Sequence, residues 1–289
     1  MPKPVSSGAE QSVWSITTTD AVIVLVGVAL FGSWLLGTSL GRKALFDSRP
    51  RRNRMAPYTP IALFFVWLLG TALLQSLVGQ ILGDIEGWRG LFVVNVVSSV
   101  ASAATVAIIL IVAAYQFARG LKGFGLRFKT IPRDVLCAFG TLLAVWPLVG
   151  AIMRVTEAAT KALFGRDFQV PQHEALELIS QSPAPALEIV LIVLAVVLAP
   201  LVEEMLFRGL FQSMIRSHLG RPWISIVLTS ILFAGIHANP THWPALFALA
   251  MGLGYAYEKS GSLVRPILMH AMFNAVIIGT VLLQQPIPA

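Results

Sequence analysis

The sequence predicts an all-α fold, a polytopic membrane helical bundle of about eight transmembrane helices. Three observations carry this prediction. Of 289 residues, 56% are apolar types and only 12% are charged, about half the charged fraction of a soluble domain, and the mean hydropathy is +0.77. Uncharged stretches long enough to span a bilayer recur along the chain, and Lys and Arg cluster between them. The single cysteine, Cys137, excludes an intrachain disulfide, a cysteine metal cage and a CxxC redox pair, and reads as a small buried hydrophobe.

Lipid offers backbone amides no partner, so an apolar run that crosses it must be a helix. Ala21 to Gly41, Met55 to Gly83, Gly90 to Ala118 and Val135 to Met153 each predict one crossing. Ile189 to Val202 is short and ends in Glu203-Glu204, so a full crossing there carries those charges into the membrane. Pro222 to Tyr257 is uncharged but interrupted by Ala238-Asn239-Pro240-Thr241, a turn signal that divides it into two crossings. Pro266 to Leu283 makes the eighth. Between the fourth and fifth helices, Glu174-Ala-Leu-Glu-Leu-Ile fits either a short interfacial helix or a solvated loop. The predicted organisation is therefore residues 1–153 as four membrane helices, 154–188 as an outer loop and 189–289 as a second set of four.

The loops orient these helices. Fifteen of the 21 Lys and Arg fall after helices 1, 3, 5 and 7 and five fall on the opposite side, which predicts that both termini face outward. The net charge of +7 is then a topological signal, and nucleic acid is not needed to explain it. No basic region precedes the first apolar stretch, so it reads as a retained helix rather than a cleaved leader. Gln75, Gln80 and Asn95 predict interhelical hydrogen bonds, and Ser33, Gly37 and Gly41 a face for close helix contact.

Ionisable groups inside membrane helices are costly, and function is the default reading for them. Here they are Glu203, Glu204 and Arg208 on helix 5, His237 on helix 6 and His270, with Asn274, on helix 8. Glu204 and Arg208 stand four apart with the acid first, the order that lets them pair. Glu203 is rotated from Glu204 by about 100° and needs another partner or a raised pKa. His270 and Asn274 share one face. A carboxylate, two imidazoles and an amide on adjoining helices are a set able to activate water. At about 1.5 Å per residue, Glu203 lies roughly 20 Å above Arg216 and His237 roughly 24 Å above Arg221. From Arg265, Asn274 is only about 14 Å deep and His270 about 8 Å, so helix 8 must start deeper or tilt. His218, His173 and His242 predict solvated or packing roles.

At Glu203-Glu204-Met-Leu-Phe-Arg208, Phe233-Ala-Gly-Ile-His237 and His270-Ala-Met-Phe-Asn274 the sequence resembles the CPBP family of intramembrane proteases, which includes the type II CAAX prenyl endopeptidase of eukaryotes and many bacterial relatives. The resemblance covers roughly Ile189 to Leu283. It implies an eight-helix bundle with a conical cavity open to the cytoplasmic leaflet, and a CAAX-protease-like catalytic core over helices 5–8. It implies peptide-bond cleavage with Glu203 as the base that activates water, His237 assisting, Glu204, Arg208 and Phe233 in support, and His270 with Asn274 stabilising the oxyanion. An alternative role set makes His237, His270 and Glu203 zinc ligands, although no HExxH is present and Asn is a poor zinc ligand. The implied partners are membrane lipid and a peptide or protein with a membrane-associated tail, in a bacterial inner membrane. A nonproteolytic scaffold using the same polar cluster is the competing class. A proton-coupled transporter finds no inverted repeat to support it.

Overall fold

The structure, a computed structural model, describes residues 18–83, 85–165, 167 and 174–283. Among them there are ten helices and no strand beyond an isolated bridge between Asn53 and Phe117. In chain order they are α1 (Thr18–Gly37), α2 (Tyr58–Leu82), α3 (Gly87–Gln116), α4 (Leu121–Phe124), α5 (Ile131–Phe164), α6 (Glu174–Ser180), α7 (Pro185–Leu219), α8 (Pro222–Gly235), α9 (Trp243–Ser260) and α10 (Val264–Leu283).

Each of the eight predicted segments falls on a helix, and the chain is an integral membrane protein. Among the described residues, α2, α3, α5, α7 and α10 are long and apolar enough to cross a bilayer. Helices α1, apolar over Ala21–Gly37, and α8 are apolar but shorter. The physical reason for α8 lies at its end, where the chain leaves the helix after Gly235 and passes through a 3₁₀ turn at Pro240–His242 before α9 begins. The proline break predicted there is present. Helix α5 runs on through Arg154 to Phe164, and α6 docks by burying Ile179 against Leu187, Leu191 and Ile278.

The core is organised around α7. Every residue from Met205 to Gln212 is buried, enclosed by Leu63, Ile109, Phe124, Phe233 and Tyr257 from α2, α3, α4, α8 and α9. A second core joins α5, α9 and α10 through Leu142, Val145, Leu249, Leu253 and Met269. Close approach occurs at Gly27, whose missing Cβ would collide with the Leu143 carbonyl and the Pro147 ring. At the predicted contact face, by contrast, nothing comes near Gly37 and the Ser33 hydroxyl bonds back to Ala29 O. Gln75 reaches Ser98 on α3 as predicted, whereas Gln80 and Asn95 bond within their own helices.

Three arginines of the loop count are structural. Arg265 grips Asp134 Oδ1 through Nε at 3.1 Å and Nη2 at 2.9 Å, while Thr130 and Ser262 donate to Oδ2, each at 2.7 Å. Arg216 donates to buried Glu258 at 2.9 Å, and Arg51 lies 3.8 Å from the other oxygen while its guanidinium stacks 3.4 Å above the Tyr257 ring. These pairs tie the start of α5 to α10 and the end of α7 to α9. Arg265 thereby sets the first turn of α10 level with the first turn of α5.

Asp134→Ala strands Arg265 and is expected to destabilise the protein by about 3–5 kcal/mol, whereas Arg133→Ala, at an exposed position, stays within about 0.5 kcal/mol. Thermal melting in detergent compares them, and equal melting temperatures would contradict the anchoring role.

Candidate active site

Helix α7 carries three of the charged candidates, and its backbone is irregular where it does so. Leu194–Leu198 and Met205–Gln212 are π-helical, with hydrogen bonds to the fifth residue back instead of the fourth. Pro200 provides a local cause for the first, since its ring crowds the carbonyl four residues earlier and it has no N–H to donate. Such wide turns recur at functional sites. Between the two π segments lie Glu203 and Glu204.

Glu204 is fully buried, and its Oε1 is the hub of the cluster. Arg208 Nη1 donates to it at 2.7 Å from one turn below, as the spacing predicted. His270 Nδ1 lies 2.9 Å from the same oxygen. Arg208 is itself held by the Ala250 carbonyl, 3.2 Å from Nη2, and by the Phe233 ring, whose centroid lies 4.6 Å from the guanidinium carbon. That contact explains the position of Phe233: it stacks under the cation, edge-on to the His270 ring at 5.8 Å and tilted against the His237 ring at 5.0 Å.

The two imidazoles are oriented by what they bond. His237 Nδ1 sits 2.8 Å from Phe233 O, and a carbonyl only accepts, so Nδ1 carries the proton and Nε2 is the basic nitrogen of the neutral ring. The turn beyond is pinned by the Trp243 indole N–H, which donates to His237 O at 2.8 Å. His270 donates from Nδ1 to the Glu204 carboxylate, which turns its Nε2 to within 4.0 Å of Glu203 Oε2. Glu203 is less enclosed than Glu204, with 14% of its side chain exposed against none.

The structure thus brings Glu203, Glu204, Arg208, Phe233 and His270 into direct contact and adds His237 across Phe233. Asn274 is one turn beyond His270, but its Nδ2 donates to Ala195 O at 2.8 Å, in the first π turn. Among the described residues, no three His, Cys, Asp or Glu side chains are grouped so as to hold a metal ion. Each ring turns Nδ1 to a protein acceptor, the bond that a zinc-ligating imidazole also makes, and Glu203 lies 4.0 Å from His270 Nε2. His218 bonds to Met214 O on an exposed surface, and His173 lies outside the described residues.

A family model described as Type II CAAX prenyl endopeptidase Rce1-like matches residues 185–276. The C-terminal third of this chain is thus similar to that family. The match starts at the first residue of α7, ends two residues past Asn274, and so contains the whole cluster. It agrees with the CPBP resemblance of the three motifs. A curated Escherichia coli protein, described as an uncharacterized 24.3 kDa protein, is 36% identical over 78 residues, which make up 26% of this chain and 36% of that relative. The chain therefore matches about a third of that relative's length. No solved structure matches this chain. Helices α1–α5 lie outside the Rce1-like match.

Sequence reasoning missed the Ala195 and Ala250 carbonyls and the π turns. Backbone acceptors carry no residue signature, and Pro200 was the one available signal for the first turn.

Arg208→Met leaves Glu204 charged and buried without its cation, and is expected to lower stability by about 3–5 kcal/mol. Adding Glu204→Gln to Arg208→Met should recover part of that loss. Melting curves of the two variants in detergent test this, and an unchanged Arg208→Met protein would contradict the pairing.

Proposed function

We propose that this protein is an intramembrane endopeptidase of the CAAX-protease type, in which Glu203 activates water for attack on a peptide bond at the membrane. The observation that carries the proposal is the Glu203–His270 pair: a partly open carboxylate 4.0 Å from an imidazole nitrogen whose other side is held by Glu204. A gap of that size is too long for a direct hydrogen bond and suits one water bonded to both groups at about 2.8 Å.

In the proposed reaction Glu203 takes a proton from that water as its oxygen attacks the scissile carbonyl carbon. The tetrahedral intermediate carries its negative charge on the former carbonyl oxygen. The proton held by Glu203 then passes to the departing amine as the C–N bond breaks, leaving a free carboxylic acid and a free amine, between which the remaining proton equilibrates. His270, held through Nδ1 by Glu204, turns Nε2 toward the site and stabilises the oxyanion. His237, with its Nε2 as the basic nitrogen, assists Glu203. No step runs through a metal ion. The substrate class that fits is a peptide whose membrane-associated tail brings the scissile bond to the site, and a prenylated C-terminal tail is one such substrate. We place the protein in a bacterial inner membrane with both termini outside, a reading supported by exposed Arg42, Lys43, Arg119, Lys122 and Arg127, all in connecting segments of one predicted side.

Purified protein in detergent, tested on a peptide library that includes prenylated C-terminal peptides, is expected to cleave. Glu203→Gln, His237→Ala and His270→Ala should each lower the rate by about 10²–10⁴-fold while the protein stays folded, and a chelator should leave cleavage intact. Undiminished cleavage by all three variants would overturn the assignment, and loss on chelation with recovery by zinc would overturn the metal-free route.

A further inference from the structure

The chemistry proposed for Glu203 requires that α7 present this glutamate, and not its neighbour, toward the open side of the cluster. An α-helix turns about 100° per residue, and a π turn inserts one residue without completing the corresponding rotation. Were Leu194–Leu198 regular, every later residue would rotate by about that angle relative to the first turns of α7. Glu203 would then take the azimuth that Glu204 now holds. The first π turn therefore sets which glutamate faces α10 and its His270, while the Glu204–Arg208 pair, wholly downstream of it, turns with the helix.

That turn has a weak point at Ala195. In a regular helix the Ala195 carbonyl would accept from the Ala199 N–H, but that N–H is bonded to Leu194 O, five residues back. The next donor in a π pattern would be the N–H of residue 200, and residue 200 is proline. Both helical donors are absent, in a segment where lipid supplies none. Asn274 Nδ2 fills the place at 2.8 Å, and because a carbonyl only accepts, the amide orientation is fixed by chemistry.

We infer that Asn274 is a positioning residue: its amide caps the carbonyl that Pro200 orphans at Ala195, and so holds the π turn that sets the direction of Glu203. This rests on the proposed role of Glu203 for its catalytic consequence, but the cap itself does not depend on it. The two rungs of α10, His270 on Glu204 and Asn274 on Ala195, then act as a pair. One orients an imidazole against α7 and the other fixes the rotation of α7 beneath it.

The test is a double-mutant cycle between Asn274→Ala and Pro200→Ala, read by melting temperature and by kcat and KM on a cleaved peptide. Pro200→Ala restores an N–H within reach of Ala195 O. Asn274→Ala alone is expected to lower the melting temperature by about 2–6 °C and kcat by roughly tenfold or more with KM little changed. In the Pro200→Ala background the same substitution should cost less than half of either loss. Equal losses in both backgrounds would overturn the inference. Coupling in melting temperature with cleavage still abolished in the double variant would overturn positioning as the way Asn274 acts on the reaction. If the wild-type protein cleaves nothing, the protease reading fails while the melting cycle still decides whether the cap exists. If Asn274→Ala does not fold, Asn274→Leu, of similar size and without a donor, runs the same cycle.

Discussion

One carboxylate oxygen organises this site. Glu204 Oε1 receives both the Arg208 guanidinium and the His270 ring nitrogen, joining α7 to α10, and Arg208 extends the link to α9 through Ala250 O and to α8 through the Phe233 ring. A charge buried this deeply is tolerable only when paired and hydrogen-bonded, so the four helices cannot drift apart without stranding it. The two outer acid clusters obey the same rule, with Asp134 holding α10 to α5 through Arg265 and Glu258 holding α9 to α7 through Arg216. Buried acids clamp the helices, and Glu203, rotated off the hub, is the acid of the site that keeps some exposure.

Much of this was legible in the sequence. The eight apolar segments, the Asn-Pro break, the i, i+4 pairing of Glu204 with Arg208 and the convergence of the three motifs follow from hydropathy and helical period, which local residue types encode. The same reasoning did not foresee the acid partners of Arg51, Arg216 and Arg265, because charge counting along a chain cannot tell a solvated arginine from one that reaches back to a buried acid. Asp134 and Glu258, single acids at the margins of apolar stretches, were the signals for those pairs.

The irregular backbone of α7 was harder to read. A π turn arises from a balance of many hydrogen bonds and packing contacts, and Pro200 alone is compatible with a kink, a wide turn or a helix start. The partner that stabilises the wide turn, Asn274, lies 79 positions later. In the sequence Asn274 stood beside His270 as a second polar group facing one volume, whereas the structure splits them between a carboxylate and a carbonyl.

The claim most exposed to test is that Glu204 holds a proton on His270 Nδ1 and sets the direction of the ring, so that Nε2 faces Glu203. Nitrogen-15 solid-state NMR of histidine-labelled protein in lipid, with the His270 signals assigned by their loss in His270→Gln, reads this directly. The account predicts a protonated, strongly hydrogen-bonded Nδ1 that shifts when Glu204 is replaced by Gln. An unprotonated Nδ1, or one indifferent to that replacement, would contradict it.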